Sequence, residues 1–323
     1  MPRCLFIHAG AIGDFVLSLR VIATLRRSGF GHVTFLGRPH IAEIAPPPEG
    51  ADAVLDLEAG GFHTLFSADA EIPAPIRSRL AGFDLAIDMV GSLASPLAAR
   101  LRQLGIPRTV GVDPRPRPDW RGHVSDQWLA DLRAAGLDTC PDPPRIAIDA
   151  AALSSARSRL RAAVCSAPVT AARSSACGVL TPPAIAILHP GSGGHAKCWP
   201  LPNFIDLANR LRRIGWRPLF LIGPVERERL ASDELAAMSS AAPLVEEASL
   251  RQVAALVASA GLFIGNDSGV SHLAAAVRTP TIAVFGPSDP ARYCPLGDHV
   301  AVVRAARADT WPSVADIPCP SAC

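Results

Sequence analysis

The chain begins the same way twice, and that repetition limits its folds more than any other feature. Cys4-Leu-Phe-Ile-His-Ala9 is a short apolar run, Gly10-Ala-Ile-Gly-Asp14 a glycine turn, and Phe15–Arg27 a stretch with apolar residues at helical spacing. The theme returns at Ala184-Ile-Ala-Ile-Leu-His189, Pro190-Gly-Ser-Gly-Gly194 and Pro202–Arg213. A short apolar run that enters a glycine turn and then an amphipathic helix reads as a buried strand of a parallel sheet with its crossover helix. Two such openings predict two similar sheet domains. Further strands are expected at His32–Leu36, Ala53–Leu57, Leu85–Met89, Thr109–Val112, Arg217–Gly223, Leu262–Ile264 and His299–Val303. Helices are expected at Ser95–Leu104, Asp126–Ala135 and Ser249–Ala260. From Ala150 to Pro183 the composition shifts to Ala and Ser with scattered Arg and ends in Thr181-Pro-Pro183, which predicts a helix to about Val164 and then a linker. The expected division is a first domain at 1–165, a linker at 166–183 and a second domain at 184–323.

Length agrees, since 323 residues exceed one typical domain. A core of Ala, Leu, Val and Ile follows from 49% hydrophobic but only 5% aromatic residues. The formal charge of +2 gives no reason to expect nucleic acid. The first apolar run passes straight into Gly10, Gly13 and Asp14 where a secretory signal would have a cleavage region, and no run approaches membrane-spanning length. Eight cysteines lie scattered with no C-x-x-C pair and no metal-ligand spacing, so reduced thiols in a cytosolic protein are expected.

The working centre is expected at Leu262-Phe-Ile-Gly-Asn-Asp-Ser-Gly-Val-Ser-His-Leu-Ala-Ala-Ala276. Asn266, Asp267 and Ser268 are good helix N-cap residues, and Gly269 lets a ligand approach the backbone. Free N–H groups of a first helical turn favour an anion. Ser268 and His272 stand four apart and share a helix face. An ordinary capped helix with a satisfied core histidine is the alternative. The next strand, however, ends in Gly286-Pro-Ser-Asp-Pro290, a second polar turn on the sheet edge where ligands of parallel sheets sit. Asp14 and Glu226 carry two readings each. Asp14 complements a helix dipole or faces a cleft, and Glu226 complements a dipole or holds a ribose diol. Six arginines between Arg100 and Arg121, set against Asp113 and Asp119, form a solvated face or meet an acidic acceptor or headgroup surface.

Taken together, these segments resemble glycosyltransferase family 9, the ADP-heptose:lipopolysaccharide heptosyltransferases. The resemblance is carried by Ala9-Gly-Ala-Ile-Gly-Asp14, Phe83-Asp-Leu-Ala-Ile-Asp88 with Arg108-Thr-Val-Gly111, and His189-Pro-Gly-Ser192 with Lys197-Cys-Trp-Pro200. Gly223-Pro-Val-Glu226 and Asn266-Asp-Ser-Gly-Val-Ser-His-Leu-Ala274 with Phe285-Gly-Pro287 complete it. It implies an α/β protein of the GT-B fold, two Rossmann-like domains facing across a cleft, with acceptor on the first and sugar nucleotide on the second. It implies Asp14 as the catalytic base beside the acceptor-side turn of Gly10 and Gly13. Ser192, Lys197, Glu226, Asp267, Ser268, Gly269 and His272 are implied to bind the donor. The implied reaction is inverting transfer of heptose from ADP-heptose, or a related sugar nucleotide, to a lipopolysaccharide core or other envelope glycan. Neither a metal site nor a cofactor is required by it, and Mg²⁺ assistance stays open. Expected partners are the ADP-sugar and an anionic glycolipid, for a cytoplasmic monomer touching the inner membrane peripherally. The chain departs from the family pattern at Cys198, and it ends at Cys319-Pro-Ser-Ala-Cys323 where members continue into a further helix. A sugar-nucleotide epimerase and a non-catalytic sugar-nucleotide-binding protein are the rival readings.

Overall fold

Arg3–Ile7 (β1) is a buried run with no charged residue after its first, and it sits in the middle of a parallel sheet. The computed structural model describes residues 1–90, 96–165, 184–246, 249–307 and 310–320. The expected linker at 166–183 lies outside them, as do Ser95 and Cys323. After β1 come Ile12–Arg27 (α1), His32–Gly37 (β2), Pro39–Ala42 (α2), Ala53–Asp56 (β3), Ala74–Arg79 (α3) and Leu85–Asp88 (β4). Leu97–Gln103 (α4), Arg108–Gly111 (β5) and Val124–Ala134 (α5) follow. Among the described residues the strand order is β3-β2-β1-β4-β5, with every pair parallel. The chain thus leaves β1 toward β2 on one side and reaches β4 on the other. That reversal opens a crevice at the carboxyl ends of β1 and β4. Register places Ile7 opposite both Leu36 and Asp88, so the turns after β1, β2 and β4 share one edge. Leu5, Ile7, Leu36, Leu65, Phe83, Ala86 and Leu101 form a buried cluster beneath it. Each large side chain so buried contributes about 1.5–3 kcal/mol.

The second unit repeats the plan. Ala150–Cys165 (α6), Ile185–His189 (β6), Leu201–Arg213 (α7), Arg217–Leu221 (β7), Pro224–Arg229 (α8), Ser232–Ala241 (α9) and Leu244–Val245 (β8) come first. Leu250–Ala258 (α10), Leu262–Asn266 (β9), Gly269–Ala276 (α11), Thr281–Phe285 (β10), Pro290–Tyr293 (α12) and Val300–Arg304 (β11) follow. The order β11-β10-β9-β6-β7-β8 is again parallel and reverses between β6 and β9. Its own core gathers Leu188, Trp199, Phe204, Leu207, Phe220, Ile264 and Val284. No described helix is long and apolar enough to cross a membrane.

One boundary differs from expectation. The chain divides between Ala147 and Ile148, so α6 belongs to the second unit and does not close the first. It packs on α10. Arg251 at the start of α10 pairs with Asp149 at 2.8 Å, and Arg159 donates to the Glu246 carbonyl at 2.9 Å. Only Ala156 and Leu160 of α6 are buried, and so narrow an apolar stripe carries little information about its partner.

Candidate functional site

The crevice between β6 and β9 is built around Asn266, the last residue of β9, which is fully buried. Its Nδ2 donates to the carbonyls of Pro190 at 2.7 Å and Gly191 at 3.3 Å, while its Oδ1 accepts from the Trp199 N–H at 2.9 Å. One amide therefore fixes both ends of the loop that follows β6. Trp199 is the second anchor. Its indole lies edge-on to Phe204, centroids 5.1 Å apart, and donates to the Pro312 carbonyl at 2.9 Å. Between these anchors the loop makes a single turn of tight helix, His195–Lys197, which presents Lys197 back toward β9.

Lys197 Nζ donates to Asp267 Oδ2 at 2.7 Å, and Ser192 Oγ donates to the Asp267 carbonyl at the same distance. The Asp267 side chain is 6% exposed and that of Lys197 42%, so a buried carboxylate holds a solvent-facing ammonium. Ser268 caps α11. Its Oγ accepts from the Ser271 N–H at 3.4 Å, and Ser271 Oγ donates to the Asn266 carbonyl at 2.5 Å. Gly269 is the first residue of α11 and is half-buried, so the first-turn N–H groups of that helix open at the same edge as Lys197. His272 is buried one turn further on. The arrangement brings an ammonium, already held by one carboxylate, and helix N–H donors to one edge, a setting that suits an anion.

Glu226 stands apart from that group, in the first turn of α8 after β7. Its Oε2 accepts from the Gly223 N–H at 2.8 Å, the local capping role. Oε1 lies against Gly191, where an added Cβ would come within 1.9 Å of it. Ser192 and Glu226 both line a cavity of about 490 Å³, shared with Cys198, Arg229, Trp199 and Trp311. Lys197, Asp267, Ser268, Gly269 and His272 do not line it. Burial and the neighbouring Glu226 carboxylate push the Cys198 thiol up, away from nucleophilic character.

In the first unit, Asp14 occupies the third position of α1, and its Oδ2 accepts from the Ala11 N–H at 3.2 Å. Gly10 touches both Asp14 and a residue that motif reading passed over. A Cβ there would fall 2.8 Å from Asp14 Cβ and 2.6 Å from His8 Cε1. Gly13 lies within the first turn of α1. His8 is 2% exposed, stacks near Phe6, and its Nε2 meets no hydrogen-bond partner among the described residues. Burial lowers its pKa from 6.5 to about 4.

The arginine run is not one surface. Arg100 is buried and donates to the carbonyls of Thr64, Ala68 and Ala70, Arg108 donates to the Ala135 carbonyl, and Arg117 pairs with Asp131 at 2.9 Å. Arg102, Arg115 and Arg121 are exposed. Among the described residues no group of three or more His, Cys, Asp and Glu side chains could hold a metal ion.

Sequence reading also passed over Asn266 as a bracket, Tyr293, and a signal that composition does carry. Lys197 is the only lysine and Tyr293 the only tyrosine in the chain. Where every other cation is arginine, a solitary lysine in a glycine loop marks a point charge that guanidinium has not replaced.

Two doubly wound parallel sheets, each reversing strand order beside a glycine turn, define a protein of the GT-B class. The family model for glycosyltransferase family 9 (heptosyltransferase) matches residues 77–315, and the chain belongs to that family. Lipopolysaccharide heptosyltransferase 2 of Salmonella typhimurium is 34% identical over 116 residues, which is 34% of this chain and 33% of the relative. The matched stretch thus spans about a third of that relative's length. Among solved structures, a family 9 glycosyl transferase from Veillonella parvula superposes with TM-score 0.72 at 20% identity, over 94% of this chain and 86% of that one. The E. coli heptosyltransferase WaaC with ADP superposes with TM-score 0.65 at 20% identity, over 97% of both chains. At these identities the superpositions speak for the fold.

Proposed function

We propose that the chain is an inverting glycosyltransferase that moves a heptose from ADP-heptose, or a related sugar nucleotide, to a lipopolysaccharide core or similar envelope glycan. The observation that carries this reading is the Ser192–Asp267–Lys197 knot at the start of α11, an ammonium and helix N–H groups at the switch point of the second sheet. Family membership and the ADP in a fold neighbour support a nucleoside diphosphate as the anion.

In this reading Lys197 and the first-turn N–H groups at Gly269 meet the diphosphate, Glu226 the ribose diol, and Asp267 and His272 the sugar. The acceptor hydroxyl oxygen forms a bond to the anomeric carbon as the bond from that carbon to the diphosphate oxygen breaks. The electron pair leaves with ADP and the hydroxyl proton passes to Asp14. A hydroxyl is a poor nucleophile without such a base, which typically contributes 10²–10⁴-fold. Charge growing on the departing diphosphate is stabilised by groups already in place. One displacement inverts the anomeric centre and needs no enzyme nucleophile. Because residues of the chain supply the positive charge, turnover is expected to survive EDTA.

The acceptor is read as an anionic glycolipid at the cytoplasmic face of the inner membrane, reached by a monomer through the exposed Arg102, Arg115 and Arg121. Co-sedimentation with liposomes is then expected to rise with anionic lipid content. The decisive assay mixes the protein with ADP-heptose and a lipid A–Kdo acceptor and follows ADP release. Release that depends on acceptor and is lost in Asp14→Ala supports transfer. ADP-sugar binding without turnover across several acceptors would leave a binding protein, and failure to bind ADP would remove the whole reading.

A further inference from the structure

The solitary lysine and the solitary tyrosine of this chain meet. Lys197 Nζ lies 5.9 Å from the centre of the Tyr293 ring, on the face a cation favours. The two come from different elements. Lys197 stands in the loop after β6, and Tyr293 closes α12, the single turn that follows β10. Local chemistry sets that turn firmly. Asp289 accepts from the Ala291 N–H at 3.1 Å, Pro290 supplies a preset first position, and the Cys294 N–H donates back to the Pro290 carbonyl at 3.0 Å. The ring is half-buried and therefore restrained.

We propose that Tyr293 is a positioning residue for Lys197, a role that rests on reading the α11 edge as a diphosphate site. A lysine ammonium on a four-carbon stem is otherwise free to sample many rotamers, and binding an anion must then order it. The ammonium rests on the buried Asp267 carboxylate at 2.7 Å, and that one contact leaves its outward side unsupported. The aromatic face offers a second, uncharged resting place beside the anion edge. It holds the ammonium near where a diphosphate arrives and adds no negative charge to repel that diphosphate. A carboxylate in its place would hold Lys197 equally well but oppose the ligand.

The test uses the whole chain as wild type, Tyr293→Phe and Tyr293→Leu, with ADP binding followed by calorimetry. A cation over an aromatic face corresponds, at its weakest, to about a two- to five-fold effect on an equilibrium, so Tyr293→Leu should bind ADP more weakly by at least about two-fold. Tyr293→Phe keeps the face and should stay within about two-fold of wild type. A second readout exploits the sequence. With one lysine present, acylation of the Lys197 peptide, read by mass spectrometry, reports how readily that one side-chain amine is reached. Losing the ring uncovers one side of the amine and frees its stem, so Tyr293→Leu should acylate faster than wild type, with Tyr293→Phe near wild type. A merely structural role for Tyr293 would not sort the two variants this way. Equal ADP affinity and equal acylation in Tyr293→Leu and wild type would overturn the proposal, as would Phe and Leu variants equally impaired. Should wild type fail to bind ADP, the diphosphate reading falls, and the acylation comparison still decides whether the ring supports the ammonium.

Discussion

Gly191 has no room for a methyl group, because its missing Cβ would stand 1.9 Å from Glu226 Oε1. The obstacle is a carboxylate end, so substitution should rotate Glu226 away and leave the sheet intact. Gly191→Ala is therefore expected to weaken ADP binding by about ten-fold or more, the scale of losing hydrogen bonds to a charged group, with little change in melting temperature. Calorimetry beside a thermal melt checks both halves. His8 makes a different kind of prediction. Burial depresses its folded pKa from 6.5 to about 4, so the unfolded chain binds the proton first as pH falls. The stability associated with neutral His8 is complete above pH 6.5 and is lost as pH falls from there through about 4, a loss on the order of 3 kcal/mol. His8→Phe, placed among Phe6 and Phe35, should flatten that part of the pH–stability curve measured by urea unfolding. At this scale the motif residues are legible because glycine, acid and lysine types report backbone approach and charge directly. His8 is not, since a histidine in an apolar strand has the same pattern whether its ring nitrogen is paired or alone.

The β9–α11 junction shows how an element end becomes a site. Asn266 reads in sequence as one of three capping candidates, yet the cap is Ser268, and Asn266 finishes the strand with its amide bridging two loop segments. Capping propensity identifies the junction and not the division of labour, which depends on a partner strand 76 residues earlier in register. Asn266→Ala would leave the Trp199 N–H and the Pro190 carbonyl without their partner in a dry interior. The expected cost is about 2–4 kcal/mol, read as a lower urea midpoint with an unchanged slope. Asn266→Asp keeps an acceptor for Trp199 but turns a carboxylate oxygen on the Pro190 carbonyl, and should be at least as damaging. Elements with a strong period were legible almost to their ends, as with β1, α1, β6 and α7. The short β8 and the weakly amphipathic α9 before it were missed, because two strand residues and a helix with only Met238 and Ala241 buried leave no periodic signal.

Among the described residues, the hydrophobic cluster around Leu5 and the one around Leu188 share no residue, the first lying within Met1–Ala147 and the second within Ile148–Cys323. The proposed roles divide along the same line. Every residue assigned to the sugar nucleotide, from Ser192 to His272, belongs to the second unit, and the proposed base Asp14 belongs to the first. Binding and chemistry should therefore separate on mutation, which a single mixed site would not allow. Asp14→Asn preserves shape and the hydrogen-bonding position toward Ala11, so ADP affinity should match wild type within about two-fold while transfer falls by about 10²–10⁴-fold. Lys197→Ala should lower both, because the same ammonium meets the diphosphate in the ground state and as charge grows on it. The comparison needs equilibrium ADP binding and steady-state ADP release on the same three preparations. If Asp14→Asn weakened ADP binding as much as Lys197→Ala, the carboxylate would be acting on the nucleotide and another group would have to take the acceptor's proton.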